Sequence, residues 1–333
     1  THSLHRRQRQ MCIRDSYYTV PQTRLAQWLV SHSFADRAFF CNSGAEANEA
    51  AIKLARKYFY DQGQPERFRI ISMAQSFHGR TMGALSATGQ DKIRKGFDPV
   101  LDGFDFVPFN DIKALEAKIS PATCAVLLEP LQGEGGVRCP DEDYLKAVRQ
   151  VCDQAGLLLI FDEIQTGMGR TGKLFAHEHF DMTPDIMTLA KALGNGLPIG
   201  AMLAKEEVAQ AFDAGAHATT FGGTPLVTAA ALAVVQTLET EKIVDHCAAV
   251  GTYFKTGLRD LQARHECIEV VRGKGLLLGL QLNQPGGPFV TQCLKKGFLI
   301  NCIQERILRF VPPLIVTEGQ VDRLVACLDE ILP

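Results

Sequence analysis

The chain lacks the features that mark several classes of protein. No apolar run approaches the roughly 18–20 residues that a membrane-spanning helix needs, so we expect no membrane span. The net charge is −2 over 333 residues and no basic stripe is present, which argues against a nucleic-acid partner. The absence of internal repeats and low-complexity segments excludes a repeat architecture. The whole chain is 46% hydrophobic and 22% charged, which is a globular composition, and it is long enough for two domains.

The ten cysteines are scattered, with no C-x-x-C pair and no spacing typical of a zinc site. In a chain of this length they indicate reduced thiols and a cytoplasmic location. His177 and His179 stand two residues apart and cannot share a helix face, so no metal site is predicted.

The first fifteen residues differ from the rest, because they hold four arginines, one acid and no usable periodicity. Two interpretations are open: a targeting or nucleic-acid-binding arm, and a disordered or non-native leader, of which we favour the second. We therefore divide the chain into a leader (1–15), a large domain (16–240) and a small C-terminal domain (241–333).

Strand-like runs alternate with helical ones through the large domain, which predicts an α/β fold with a mostly parallel sheet. After residue 240 a long helix leads into several strands and a closing helix, which predicts a smaller α+β unit. The predicted strands are 38–41, 69–72, 104–107, 124–129, 157–162, 186–189 and 199–203, and the predicted helices are 45–60, 111–119, 141–155, 225–240, 243–264 and 318–332.

An acid and a lysine 29 residues apart each follow an apolar strand: Asp162 in LLLIFDEIQTG and Lys191 in DIMTLAKALGNG. Enzymes that use pyridoxal 5'-phosphate (PLP) need such a pair. The lysine amine holds the cofactor covalently, and the carboxylate keeps the pyridine nitrogen protonated. Gln165 could donate a hydrogen bond to the ring oxygen. Taken singly, Asp162 could cap a turn and Lys191 could be a surface lysine, so the pair carries the prediction.

The turn Asn42-Ser43-Gly44-Ala45 joins a strand to a helix and could hold a phosphate through backbone N–H groups. Ser43 could equally be an ordinary helix cap. Thr219 and Thr220 in HATTFGGTP form a second candidate anion site. Asn42, Glu129, Asp162 and Lys191 all fall at strand ends, so they could meet in one crevice.

Two arginines are candidates for binding carboxylates: Arg80 in FHGR and Arg309 on the apolar strand ILRFV. Beside Arg80, either Phe77 or His78 could stack on a flat ring. Glu134 could be a movable counter-ion for a substrate arginine, although alone it is more simply a loop acid.

Gly167–Gly172 spells G-x-G-x-x-G, the glycine pattern of dinucleotide-binding sites. That fingerprint needs the glycines directly between a strand and a helix. Here Glu-Ile-Gln-Thr intervenes and no long helix follows, so we do not predict a nicotinamide cofactor.

From about Tyr17 to the C-terminus the chain resembles the class III (ornithine-type) aminotransferases, which are fold-type I PLP enzymes, and within them the branch that acts on N-acetylornithine. The resemblance rests on motifs in family order: FFCNSGAEANEAAIKLARKY, SFHGRT, LLEPLQGEGG, LLIFDEIQTGMGRTG, TLAKALGNGLPIGA and TTFGGTPL.

The resemblance implies a role for each matching residue. Lys191 and Asp162 would be catalytic and would bind the cofactor. The other cofactor contacts would be Ser43, Gly44, Ala45, Phe77, Gln165 and Thr220, the last from the neighbouring subunit of a homodimer with shared active sites. Substrate contacts would be Arg80, Glu134, Thr219 and Arg309, where Arg309 takes the carboxylate of glutamate or 2-oxoglutarate and Glu134 is its gate.

The implied reaction passes an amino group from N-acetylornithine to 2-oxoglutarate, in arginine biosynthesis. Open alternatives are succinylornithine, succinyldiaminopimelate, ornithine or 4-aminobutyrate as donor, an aminomutase or racemase of the same class, and an inactive fragment. The last follows from the expectation that the chain is truncated, since family members carry an ordered segment before the position of Tyr17.

Overall fold

The computed structural model describes residues 18–333, so the predicted leader at 1–15 lies outside them. The strands are β1 Arg37–Cys41, β2 Arg69–Met73, β3 Phe104–Val107, β4 Thr123–Leu128, β5 Leu158–Asp162, β6 Ile186–Leu189, β7 Gly200–Ala204, β8 Ile268–Lys274, β9 Leu277–Leu282, β10 Asn301–Ile303 and β11 Ile307–Phe310. The α-helices are α1 Val20–Ser31, α2 Gly44–Asp61, α3 Met82–Ala87, α4 Asp91–Arg94, α5 Ile112–Lys118, α6 Tyr144–Ala155, α7 Glu206–Ala209, α8 Pro225–Thr240, α9 Ile243–Arg264, α10 Gly287–Lys295 and α11 Glu318–Ile331.

A seven-stranded sheet with the order β1-β7-β6-β5-β4-β2-β3 forms the larger unit. Its pairs from β6 to β3 are parallel, and only β7 runs antiparallel to its two neighbours, β1 and β6. Strands β4, β5 and β6 are buried along their whole length, as expected for strands covered on both faces. The predicted α/β fold with a mostly parallel sheet is confirmed.

The smaller unit is an antiparallel sheet with the order β10-β11-β9-β8, against which the C-terminal helices pack. One hydrophobic core joins this unit to the larger sheet. It contains Leu25 of α1 and Leu189 of β6 together with Leu258, Leu280 and Leu308 of the C-terminal part. Because one core crosses residue 240, the predicted boundary between 240 and 241 stays a prediction. No helix within residues 18–333 is long and apolar enough to cross a membrane.

Two elements begin later than the sequence predicts, and one helix was not predicted. The helix predicted from Asp141 begins at Tyr144, because the preceding acids form a turn in which Tyr144 N–H donates to Asp141 C=O (3.1 Å). Among the strands predicted after residue 240, the one in the segment FLINC (298–302) begins only at Asn301, since Phe298 N–H still donates to Cys293 C=O (2.9 Å) at the end of α10. Helix α1 was missed, and its buried residues are only Leu25 and Leu29, which leaves a weak periodic signal.

The glycines of the G-x-G-x-x-G segment serve close packing between the two units. A Cβ on Gly172 would come within 2.9 Å of the Ala248 backbone in α9, and one on Gly169 would meet Val244 at 3.3 Å. Between these glycines, the Arg170 guanidinium donates to the carbonyls of Leu276 (3.1 Å) and Pro312 (2.6 Å). The segment therefore joins the larger unit to the C-terminal part.

Candidate active site

A cavity of about 340 Å³ opens at the carboxyl ends of the parallel strands. Asn42, Glu129, Asp162 and Lys191 all line it, so the four strand-end residues meet in one crevice as predicted. The other lining residues are Ser43, Gly44, Ala45, Phe77, His78, Gly79, Arg80, Glu134, Ile164, Gln165, Ala190, Leu197, Pro198 and Ile199.

Asp162 ends β5 and is buried at the floor of the cavity. Its Oδ2 accepts from Asn48 Nδ2 (2.7 Å) and from His78 Nδ1 (2.8 Å), and its Oδ1 accepts from the N–H of Ile164 (3.0 Å). A carboxylate has about four acceptor sites. Three are used by the protein, which leaves one on Oδ1 for a donor in the cavity.

Asn48 and His78 were missed as supports of Asp162. The His78 side chain is fully buried against Asp162 and its Nε2 lies 3.2 Å from Ser72 Oγ, so of the two candidates for ring stacking the structure favours Phe77. Asn48 donates to both Asp162 and His78 C=O (2.7 Å), and accepts from Thr188 Oγ1 (2.8 Å). The only signal in the sequence was a polar residue inside the alanine-rich face of α2.

Lys191 starts a one-turn 3-10 helix, Lys191–Leu193, directly after β6. Its backbone φ of +46° is in the left-handed region, a strained conformation for a residue with a side chain. The side chain is accessible through the cavity, yet protein encloses it on most sides, and this desolvation lowers the pKa of its amine while Asp162 and Glu129 oppose the shift. Within residues 18–333 the amine has no hydrogen-bond partner, so it is free to react.

The predicted phosphate turn is the N-terminus of α2. Ser43 is its cap and accepts from the N–H of Glu46 (3.2 Å), so the helix-cap interpretation of Ser43 holds. The N–H groups of Gly44 and Ala45 find no acceptor in the described part of the chain and face the cavity. A Cβ on Gly44 would lie 2.8 Å from the Ile164 side chain, so a larger residue at this turn would require that side chain to move. The arrangement suits an anion.

Gln165 and the pair Glu134–Arg309 stand at the rim of the cavity. The amide oxygen of Gln165 is buried and has no partner among residues 18–333, which is rare for a buried polar atom. Arg309 is 8% exposed, and its Nη1 donates to Glu134 Oε1 at 2.6 Å. Arg309 on β11 is thus linked to the cavity by its ion pair with the lining residue Glu134. From the sequence alone, Glu134 could equally have been an ordinary loop acid.

The remaining predicted residues fall into two groups. Phe77 and Arg80 line the cavity, with the Arg80 guanidinium 5.7 Å from the centre of the Phe77 ring. Thr219 and Thr220 do not line it. Thr219 Oγ1 accepts from Asn42 Nδ2 (3.2 Å), whereas Thr220 is exposed on the surface of its own chain.

The family model described as aminotransferase class-III matches residues 4–332. The chain belongs to the class-III aminotransferases. It is 53% identical over 315 residues to the acetylornithine aminotransferase of Methanocaldococcus jannaschii, covering 95% of this chain and 79% of that relative. It is 50% identical over 317 residues to the same enzyme of Caldanaerobacter subterraneus subsp. tengcongensis, covering 95% of this chain and 80% of the relative.

Solved structures give the same family. The ornithine aminotransferase of Toxoplasma gondii ME49 superposes with a TM-score of 0.91 at 32% identity, over 95% of this chain and 77% of that one. An amine transaminase of an uncultivated Pseudomonas species, solved in its PLP-bound form, superposes with a TM-score of 0.87 at 30% identity, over 95% of this chain and 81% of that one. The chain is therefore a PLP-dependent enzyme that moves an amino group between an amino donor and a keto acid.

The residues of the cavity fit PLP. The free acceptor site on Asp162 suits a protonated pyridine nitrogen, and Gln165, which lines the cavity, could donate to a ring oxygen through its amide NH₂ group, whereas its buried amide oxygen can only accept. The free N–H groups of Gly44 and Ala45 suit the phosphate, and the unpaired amine of Lys191 suits the aldehyde carbon.

Proposed function

We propose that the enzyme transfers the side-chain amino group of N-acetylornithine to 2-oxoglutarate, giving the semialdehyde and glutamate, and that it serves arginine biosynthesis. The observation that carries this proposal is the ion pair between Arg309 and Glu134 at the rim of the cavity that holds Lys191. An arginine with a removable counter-ion can serve two co-substrates of different charge in turn. The relatives at about 50% identity, named acetylornithine aminotransferases, support the choice of donor.

We assign the chemistry to Lys191 and Asp162. When bound, PLP supplies an electron sink for the electrons left after a C–H proton is removed next to the nitrogen. Lys191 moves that proton as general base and then as general acid through Nζ, and its lowered pKa leaves a larger fraction of the amine unprotonated. Asp162, oriented by His78 and Asn48, holds the ring nitrogen protonated.

The other contacts orient the reactants. Ser43 caps the helix at whose N-terminus Gly44 and Ala45 would hold the phosphate, Phe77 would lie against the ring face and the amide NH₂ of Gln165 would donate to the ring oxygen.

The substrate side of the site works as a gate. While Glu134 pairs with Arg309, the arginine is neutralised and the cationic amine of the donor enters. When Glu134 swings away, Arg309 binds a carboxylate of 2-oxoglutarate in a bidentate manner. Arg80 at the rim and Thr219 behind Asn42 make further substrate contacts in this proposal.

We also propose a homodimer that works in the cytoplasm. Thr220 is exposed and lies outside the cavity of its own chain, which is compatible with its contacting the phosphate bound by a second copy. Leu226 (73% exposed), Leu197 (40%) and Ile315 (64%) put apolar surface near the site, which a second subunit would cover. A mass measurement in solution that gives a monomer for the PLP-loaded protein would contradict this arrangement.

The first experiment is a visible spectrum of the PLP-loaded protein before and after adding N-acetylornithine. The proposal expects a protein-bound cofactor band that shifts with the donor and returns with 2-oxoglutarate. A band that ignores N-acetylornithine but responds to glutamate would overturn the donor and keep the keto acid. Turnover that needs no 2-oxoglutarate would indicate an aminomutase or racemase instead, and the absence of a bound band would indicate an inactive fragment.

Ornithine is the second candidate donor, because the chain superposes on an ornithine aminotransferase with a TM-score of 0.91. The two donors differ by the acetyl group, which removes the charge of the α-amine. Comparing kcat/KM for ornithine and N-acetylornithine decides between them: a ratio above one for ornithine rejects the acetylated donor.

A further inference from the structure

Glu129 is the buried acid of the cavity that the proposed chemistry does not use. It follows β4 directly, is 6% exposed, and precedes Pro130. Its two oxygens have different partners. Oε2 accepts from the N–H of Phe77 (3.1 Å) and Oε1 accepts from the N–H of Gly133 (3.1 Å). One carboxylate thus connects the loop after β2 with the turn after β4.

Each of these partners adjoins a residue of the site. Phe77 itself lines the cavity, and Gly133 precedes Glu134, whose Oε1 pairs with Arg309. Gly133 also lies tightly under Gln165, since a Cβ at Gly133 would lie only 1.7 Å from Gln165 Oε1. The position of the Gly133 backbone therefore limits both the gate acid and the amide that faces the ring oxygen.

The rest of the turn is fixed at its base, so that motion is confined to its tip. Gln132 and Arg138 exchange two backbone hydrogen bonds of 3.0 Å, and Gln132 Nε2 donates to Ala74 C=O (2.9 Å). Because Gly133 N–H also donates to Glu129, the segment up to residue 133 is held by hydrogen bonds to Arg138, Ala74 and Glu129. Glu134 can then leave Arg309 by side-chain rotation while Phe77 and Gln165 stay in place.

We propose that Glu129 is a positioning residue whose carboxylate clamps the Phe77 loop and the Gly133–Glu134 turn together, and so couples the ring-stacking side of the site to the gate. The geometry requires two acceptor oxygens at one side chain. Glutamine offers one acceptor and one NH₂ donor, and the donor would face a backbone N–H. Aspartate keeps the charge but is one methylene shorter and cannot span both amides. The kinetic part of this proposal rests on the proposed function, whereas its structural part does not.

The test is hydrogen exchange of the PLP-loaded protein, read by mass spectrometry in wild type, Glu129→Gln, Glu129→Asp and Glu163→Gln. Glu163 is the matched control because it is equally buried and also accepts backbone N–H groups, from Ala176 (2.6 Å) and His177 (2.9 Å), but does not line the cavity. We expect both Glu129 variants to exchange about tenfold faster in segments 76–80 and 131–136 together. Faster exchange in Glu163→Gln should be confined to the segment around 175–179.

A kinetic measurement separates positioning from general support of the fold. If the clamp steadies the gate, the kcat/KM for the amino donor should fall about tenfold relative to that for 2-oxoglutarate in Glu129→Gln, because the donor needs Glu134 on Arg309. A purely structural loss would lower both values alike and would overturn the coupling.

Two other outcomes would also reject the clamp. One is faster exchange in a single segment only, and the other is full protection in Glu129→Asp, which would show that charge matters and the two-point span does not. If wild type does not use N-acetylornithine, the proposed donor is wrong. The hydrogen-exchange data need no substrate, so they would still test the role of Glu129. If Glu129→Gln does not fold, Glu129→Asp carries the same test.

Discussion

Two acid–histidine pairs stand side by side at the exit of β5, and only one of them faces the cavity. Asp162 lies 2.8 Å from the Nδ1 of His78, and Glu163 lies 2.9 Å from the Nδ1 of His177. All four side chains are buried. The two acids are adjacent in sequence and the two pairs share chemistry and burial, so none of these properties explains why only one lines the cavity.

The difference is in the number of hydrogen bonds that each carboxylate accepts. Glu163 accepts four, from Thr166 Oγ1 (3.2 Å), from the N–H groups of Ala176 and His177, and from the His177 ring. Asp162 accepts three. Since a carboxylate has about four acceptor sites, Glu163 is saturated and anchors the 3-10 helix Ala176–Phe180, while Asp162 has one site left for a ligand. The unused acceptor of Asp162, rather than its burial, distinguishes the acid that lines the cavity from the one that does not.

The largest effect should come from Lys191→Ala, which removes the unpaired amine of the cavity that Asp162 also lines. We expect turnover to fall at least about 10⁴-fold, because both the covalent attachment and the proton transfer are lost. The protein-bound cofactor band should disappear as well. Steady-state kinetics and a visible spectrum measure both effects, and unchanged turnover would remove Lys191 from the chemistry.

Replacing one carboxylate oxygen by an amide nitrogen in each acid should have different effects on the two pairs. Asp162→Asn should lower kcat about 10²–10³-fold, because the ring nitrogen loses its anionic partner. Glu163→Gln should lower the free energy of unfolding by about 1–3 kcal/mol and leave kcat within about threefold, because its bonds are all internal. Parallel rate and thermal unfolding measurements decide: a similar loss of kcat in both variants would show that the count of acceptors does not separate them.

Glu129 directly follows the neighbouring strand β4, and its titration should make the stability of the protein depend on pH. Burial, with Asp162 nearby, raises its pKa to about 7, and His78 and the two backbone donors oppose the shift. The folded protein therefore binds the proton more tightly than the unfolded chain. The stability that this proton adds is fully present below the unfolded pKa of about 4.3 and is lost as the pH rises through about 7. Between pH 5 and pH 8 we expect the free energy of unfolding of wild type to fall by at most about 3 kcal/mol relative to that of Glu129→Gln.

Urea unfolding of both proteins at the two pH values measures this difference. A gap between them that does not change with pH would show that Glu129 titrates as an ordinary exposed acid does.

The smallest effect concerns the gate. Glu134→Gln replaces the charged partner of Arg309 by a neutral amide. We therefore expect KM for 2-oxoglutarate to fall about tenfold and KM for the cationic donor to rise by a similar factor. Initial rates with each co-substrate varied in turn give both numbers. Equal changes in the two KM values, in the same direction, would count against a gate.

Much of the fold follows from local pattern. Strands β3 and β6 and helices α8 and α9 have the predicted bounds, because apolar periodicity and turn residues act over a few neighbouring positions. The antiparallel direction of β7 was not predicted, since it depends on which strands pair across the sheet. Neither was the single core that joins α1 and the larger sheet to the C-terminal part.

The residue types of the site can be predicted from local patterns in the chain: a lysine and an acid after apolar strands, a glycine turn before a helix, and an arginine on an apolar strand. Which polar groups have hydrogen-bond partners and which stay free depends on how the chain folds. Asn48 meets Asp162 across 114 positions, His78 across 84, and Glu134 meets Arg309 across 175. No local pattern encodes such pairs, because their geometry is set by the packing of several strands and helices, and it is this packing that leaves one oxygen of Asp162 open and closes both of Glu163.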